Sequence, residues 1–189
     1  MENKFLESVS RSFSVELPFA ESLDRYLDQL IPVVRPLGED LWESKFYVNK
    51  AWLEFKDDEN FHDTVVHFFN EGEEDNEYLR SINGNVKAGT WRYLDKAGKF
   101  LVTNPDGDTE LFDLAFLDTQ FFILKKHGDQ ERMGERKYFM MVNEKVGRRL
   151  EWRDAMELLF NKYRNNNSFY LSVVIIIVLI AAIVLVLSL

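Results

Sequence analysis

The run VKAGTWRYLDKAGKFLVTNPDGDTELFDLAFLDTQFFILKK, residues 86–126, decides the fold. Short segments rich in aromatic and β-branched residues alternate in it with turn chemistry. Lys96-Ala97-Gly98-Lys99 separates 86–94 from 99–104, and Pro105-Asp106-Gly107-Asp108 separates that segment from 109–117, with 120–126 close behind. Gly, Asn and Asp tolerate the positive φ that tight reversals demand, so the pattern predicts successive antiparallel hairpins. Working outward, similar runs stand at 46–55, 64–70, 77–82 and 137–143, with Asn83-Gly84 as a further reversal. The stretch Glu71 to Glu77 reads as a solvated acidic loop. Eight short strands make a meander. Several carry bulky residues on both faces, as in Phe112-Leu114-Phe116 against Leu111-Ala115-Leu117, which calls for a closed or covered sheet. The fold class is therefore mainly β, an antiparallel up-and-down barrel or a strongly curved meander.

Helices flank it, which makes the class α+β. From Leu17 to Val34, Phe19, Leu23, Tyr26, Leu27, Leu30, Ile31 and Val34 recur every three or four residues, an amphipathic stripe suited to packing on the following domain. Pro18 suits its first turn, and Pro32 and Pro36 are expected to end it. Leu150 to Arg164 reads as a second helix with Trp152, Met156, Leu159, Phe160 and Tyr163 on one face; it either caps the barrel or lies along a bilayer.

The last segment, Phe169 to Leu189, is uncharged and almost continuously aliphatic. A helix of that length covers about 30 Å at about 1.5 Å per residue, the thickness of a hydrocarbon core, so one C-terminal transmembrane helix is expected. Lys162 and Arg164 precede it, nothing charged follows it, and MENKFLESVSRSF lacks the apolar core of a signal peptide. The expectation is a tail-anchored, single-pass membrane protein whose N-terminal part faces the cytoplasm. Arg148, Arg149, Arg153, Lys162 and Arg164 would be its membrane-proximal basic residues. The organisation expected is a helical segment over 1–45, the barrel over 46–146, an amphipathic helix and hinge over 147–168, and the span over 169–189.

Composition excludes several chemistries. The chain has 189 residues, a formal net charge of −9 and no cysteine, so disulfides, thiolate metal sites and a cysteine nucleophile are impossible. The acidic balance argues against nucleic acid as a partner. No phosphate-binding glycine loop, G-x-S-x-G elbow, H-E-x-x-H pair or kinase signature occurs, and no cofactor is implied. His62 and His67, five apart on a strand, face opposite ways and do not converge on a metal. Asn104 to Glu110 lacks the spacing of an EF-hand loop and reads as a hairpin turn, while Asp113 and Asp118 read as outward or strand-end residues. No nucleophile and base can be paired, so the chain is expected not to be an enzyme.

Several elements together resemble a small bacterial lipocalin-like domain of the calycin type. They are Phe68-Phe69-Asn70-Glu71-Gly72, Gly89-Thr90-Trp91, the Lys96-Ala97-Gly98-Lys99 hairpin, Leu101-Val102-Thr103, and the paired runs Leu111 to Leu117 and Phe121 to Lys126. The resemblance covers roughly half the chain and implies an up-and-down barrel with the Trp91 indole packed over one end. Lys50-Ala51-Trp52 departs from that pattern, having no glycine beside the first-strand tryptophan. The structural competitor is a pleckstrin-homology-like sheet plugged at its open end by the 150–164 helix. Trp52, Phe68, Trp91, Phe100, Phe112, Phe116, Phe122 and Phe139 would line or fill the interior. Lys125-Lys126-His127 with Arg132, Arg136 and Lys137 forms a cationic hairpin, either a solvated turn or a phosphate-binding mouth. The candidate ligand-binding residues are thus Lys125, Lys126, Arg132 and Trp91. Two functions follow as expectations. The first is a non-enzymatic module that binds or tethers a partner protein or small ligand at the bilayer. The second is a ligand-gated membrane effector in which the barrel senses a small, nucleotide-like signal and the spans cluster as a homo-oligomer.

Overall fold

The computed structural model describes residues 20–58, 63–73, 76–128 and 136–164. Eight strands follow one another around a closed barrel: β1 (Ala51–Phe55), β2 (Val65–Asn70), β3 (Asn76–Ile82), β4 (Asn85–Leu94), β5 (Lys99–Thr103), β6 (Thr109–Leu117), β7 (Phe121–Lys126) and β8 (Tyr138–Asn143). Every neighbouring pair is antiparallel, and β8 closes on β1 in the register Leu53↔Val142. Closure leaves no edge strand among the described residues. Among the described residues three α-helices accompany the barrel: α1 (Leu23–Val34), the short α2 (Glu144–Gly147) and α3 (Trp152–Arg164).

Alternation along the strands sorts the apolar residues into two cores, one on each face of the wall. Inward positions Trp52, Phe69, Tyr78, Trp91, Phe100, Phe112, Phe122 and Met141 form the inner core, which Leu41, Tyr47 and Val48 complete. Outward positions Phe55, Phe121, Ile123, Met140 and Val142 meet Leu23, Leu27, Leu30 and Val34 of α1 and Ala155, Met156, Leu159 and Phe160 of α3. Both faces of β7 and β8 are therefore dry, which is why these strands read as unbroken apolar runs. The Ser22 hydroxyl caps α1 by accepting from the Arg25 amide at 3.3 Å, worth about 1 kcal/mol. Asp24 of the same helix accepts from the backbone amides of Lys137 and Tyr138 at 2.8 and 3.2 Å, and Asp28 accepts from the Tyr138 hydroxyl at 2.8 Å. These carboxylates tie α1 to the start of β8.

One end of the barrel is shut. Residues 38–50 fold across it through a 3₁₀ turn at Ser44–Phe46, and Tyr47 drops into the inner core, stacked on Phe122 at 5.2 Å and edge-on to Trp91 and Phe100 at 5.6 Å. The Tyr47 carbonyl accepts from the Trp52 indole at 2.9 Å, and its hydroxyl donates to the Leu41 carbonyl at 3.2 Å. Ring pairs of this kind contribute about 0.5–1.5 kcal/mol each beyond the area they bury.

Several expectations are corrected here. The membrane span expected at 169–189 lies outside the described residues, and among the described residues no helix is long and apolar enough to cross a membrane. The longest, α3, has 13 residues. The transmembrane part of the fold class, the single-pass tail-anchored topology and the cytoplasm-facing orientation drawn from it therefore have no element of the structure to rest on. The bilayer as partner and oligomerisation through spans are withdrawn with them. Residues 46–50 belong to the plug, not to β1. Pro32 lies inside α1, which continues to Val34. Phe69, not Phe68, faces inward. Phe116 leaves the inner face because a bulge between Leu114 and Phe116 inserts a residue into β6, so that Leu117 enters the inner core and Phe116 meets Tyr163 of α3. Helix α3 lies along the outer wall and neither caps nor plugs an end.

Candidate ligand site

The end opposite the plug holds a cavity of about 400 Å³. Its floor is the aromatic core, and its walls come from the same inward rows continued by one alternation. Trp52 is followed by Glu54 on β1, Phe69 preceded by His67 on β2, Tyr78 followed by Arg80 on β3, Phe112 preceded by Glu110 on β6, and Leu124 followed by Lys126 on β7. Lys56, Asn104, Arg136 and Phe139 complete the lining. Across a single layer of side chains the barrel interior changes from aromatic to ionisable.

The centre of the site is a hydrogen-bonded chain. His67 is 2% exposed, with Nε2 3.2 Å from Glu54 Oε2 and Nδ1 2.7 Å from the Tyr78 hydroxyl. The ring lies parallel to Tyr78 and edge-on to Phe139 at 4.9 Å. A carboxylate only accepts, so in the neutral imidazole the proton sits on Nε2 and the Tyr78 hydroxyl donates to Nδ1. Burial holds the His67 imidazole below its ordinary pKa against the pull of Glu54, which favours that neutral form. Burial alone would raise the Glu54 carboxyl; the His67 hydrogen bond and the Lys56 ammonium, 2.8 Å away, overcome it and hold the group below the usual carboxylate range. Tyr78 is pushed well above the ordinary phenol value, chiefly by burial, and stays protonated.

A second pair stands across the cavity, Glu110 with Lys126 at 2.6 Å, and Asn104 donates to Glu110 at 3.4 Å. Arg80 Nη2 donates to Asp106 at 2.7 Å, while Arg80 Nε is buried and has no partner. A buried donor left unmade costs about 1–3 kcal/mol. Chemically the site can hold a proton on a defined nitrogen and bind polar groups. Among the described residues no group of three or more His, Cys, Asp or Glu side chains is placed to hold a metal ion.

Of the residues expected from sequence, Lys125, Lys126 and Trp91 stand apart from one another. Lys126 lines the cavity. Lys125, the next residue, faces the other side of β7, opposite Asp113 in register. Trp91 sits in the shut end, stacked on Phe100 at 5.2 Å and donating to the Asn70 carbonyl at 3.1 Å. Arg132 lies outside the described residues. The cationic hairpin is largely matched by acid: Lys126 by Glu110, His127 by Asp113, Arg136 by Asp58 and Lys137 by Asp28. Three of the five basic residues expected near a membrane, Arg148, Arg153 and Lys162, are engaged with protein. Arg148 pairs with Glu144 at 2.8 Å, Arg153 lies over the Trp152 ring at 4.5 Å, and Lys162 pairs with Asp118 at 2.7 Å; Arg149 is exposed and Arg164 ends α3. His62 lies outside the described residues. Glu54, His67, Arg80 and Glu110 were missed, although one signal pointed to them: each stands two residues from an aromatic in a strand.

A wider cleft of about 720 Å³ lies outside the wall beside β1 and α2. Three of its acids are committed to structure: Asp57 accepts from the Leu23 amide, Asp63 from the Asn83 amide group, and Glu144 from Arg148.

Comparison of the chain with family models, with curated proteins and with solved structures returns no match. The resemblance to lipocalin-like domains is withdrawn accordingly, and the motifs that carried it have local causes. Gly89 is glycine because a Cβ there would lie 2.1 Å from the Thr103 carbonyl oxygen, and Gly72 donates to Asn76 Oδ1 across the β2–β3 turn.

Proposed function

We propose that this chain is a non-enzymatic binding protein for a small polar molecule, with its site in the cavity at the open end of the barrel. One observation carries the reading. Inward positions on β1, β2, β3, β6 and β7 all switch from apolar to ionisable at the same level. A barrel that needs only to fold fills such positions with apolar side chains, because burying charge is costly even when it is paired. The volume suits a small ligand, and a few placed polar groups over an apolar floor are the usual makeup of a ligand pocket. The Glu54–His67–Tyr78 chain fixes donors and acceptors in direction. Native mass spectrometry of the full chain, taken without denaturation from the expressing cells, tests this. The expected result is a small non-covalent added mass that disappears in Arg80→Gln; protein that arrives empty in every preparation counts against the reading.

A further inference from the structure

Resting on that reading, we infer that the ligand is a compact oxyanion, bearing a carboxylate or phosphate group, anchored by Arg80. The cavity is lined by Lys56, Arg80, Lys126 and Arg136 against only Glu54 and Glu110, two more cations than carboxylates, in a chain whose net charge is −9. The positive excess is therefore local to this hole. Both lining carboxylates are already engaged within it, Glu54 by Lys56 and His67 and Glu110 by Lys126 and Asn104, so little accepting capacity is left for a cationic ligand.

The two arginines are matched differently. Their carboxylates lie on the rim, Asp106 with a side chain 55% exposed and Asp58 with one 48% exposed, and Arg136 stands 3.8 Å from its partner. Water and salt screen such pairs strongly. Asp106 also divides itself between Arg80 and Lys87. The guanidinium of Arg80 is left with an unpartnered Nε next to an engaged Nη2. The Arg80 guanidinium, lining a hole of positive excess and held by a carboxylate that it shares with Lys87, is a planar fork of donors that a carboxylate or phosphate oxygen satisfies best. The cavity volume limits the molecule to a small one.

The test is a titration of the full ¹⁵N-labelled chain with succinate, inorganic phosphate, glucose and putrescine, read at the Arg80 Nε–H resonance and at the Asn104 and Glu110 amides. Succinate or phosphate should shift these signals saturably, and Arg80→Gln should weaken that binding by about tenfold or more. Arg136→Gln, at the more open edge of the cavity, should weaken it less and provides the test should the Arg80 variant fail to fold. Anion shifts that persist at full affinity in Arg80→Gln overturn the inference. Saturable shifts from glucose or putrescine with none from either anion also overturn it while leaving the binding reading in place. No response to any probe, together with empty protein in the mass spectrum, removes both.

Discussion

Lys162 Nζ lies 2.7 Å from Asp118 Oδ2, joining α3 to the β6–β7 turn across 44 residues of sequence. The same oxygen accepts from the Tyr163 hydroxyl, and Oδ1 accepts from the amides of Gln120 and Phe121 at 2.6 and 2.8 Å. One buried carboxylate thus shapes a turn and docks a helix. Asp118→Ala should cost about 3 kcal/mol, since it strands two amides, a hydroxyl and a cation. Lys162→Met should cost about 1 kcal/mol or less, because the ammonium is partly exposed and its stem keeps its packing. Urea unfolding of both variants checks the asymmetry; equal losses would mean that the ion pair, not the turn, dominates.

Stability should fall as the solution is acidified below about pH 6.5, well before ordinary carboxylates titrate. His67 has a depressed pKa in the fold, so between that value and about 6.5 the unfolded chain binds the extra proton and acid favours unfolding. Around the ring stand Glu54 and Lys56 from the β1 side and Tyr78 and Arg80 from β3; the two cations oppose protonation and Glu54 alone favours it. The loss contributed by Glu54 comes later, as pH drops from 4.5 toward its lowered value. Urea midpoints at pH 7.5, 6 and 5 read the first effect. His67→Gln should flatten the curve over that interval, and an unchanged slope would place the titrating group elsewhere.

Strands β3 to β6 were legible in sequence because the turns between them hold residues that only a turn wants: Asn83 and Gly84 with φ of 50° and 87°, Gly98 with 61°, Gly107 with 94°. Those positions pin register, and register pins which residues point inward. What could not be read arises where one local event reverses the count. The bulge in β6 sends Phe116 outward, and the turn through Asn49, with φ of 55°, converts residues 46–50 from strand to plug. The cavity was hidden for a different reason. Lys125, Lys126 and Arg132 stand out as a run of charge along the chain, whereas Glu54, His67, Arg80 and Glu110 are single ionisable residues on four strands, and only closure of the barrel collects them.

Gly89→Ala should be among the most damaging single-atom additions to the barrel. The new Cβ would lie 2.1 Å from the Thr103 carbonyl oxygen and 3.2 Å from the Tyr78 ring. Backbone of β5 must move to admit it, and Tyr78 is the residue whose hydroxyl donates the hydrogen bond to His67 Nδ1. A loss of about 3 kcal/mol or more is expected, in the range of overpacked cores with backbone shifts. Gly84→Ala makes the control, since nothing lies within 4 Å of that position and only its positive φ resists the change. Thermal melts of the two variants should separate clearly, with Gly84→Ala losing about 1 kcal/mol.

Tyr47 carries the closure of the shut end, and its ring and its hydroxyl should prove very unequal. The ring is 1% exposed and touches Trp91, Phe100 and Phe122, so Tyr47→Ala leaves a void among aromatic neighbours and should cost about 3–5 kcal/mol. Tyr47→Phe removes only the 3.2 Å bond to the Leu41 carbonyl and should cost about 1 kcal/mol. The plug and the polar cavity are separated by the whole aromatic layer, so Tyr47→Phe should leave the Arg80 Nε–H resonance and its response to succinate or phosphate unchanged. Denaturant unfolding measures the first contrast and the titration measures the second. A Tyr47→Phe variant that folds normally yet loses the anion response would mean that the aromatic core transmits strain from one end of the barrel to the other, and that the ligand site extends beyond the ionisable groups at its mouth.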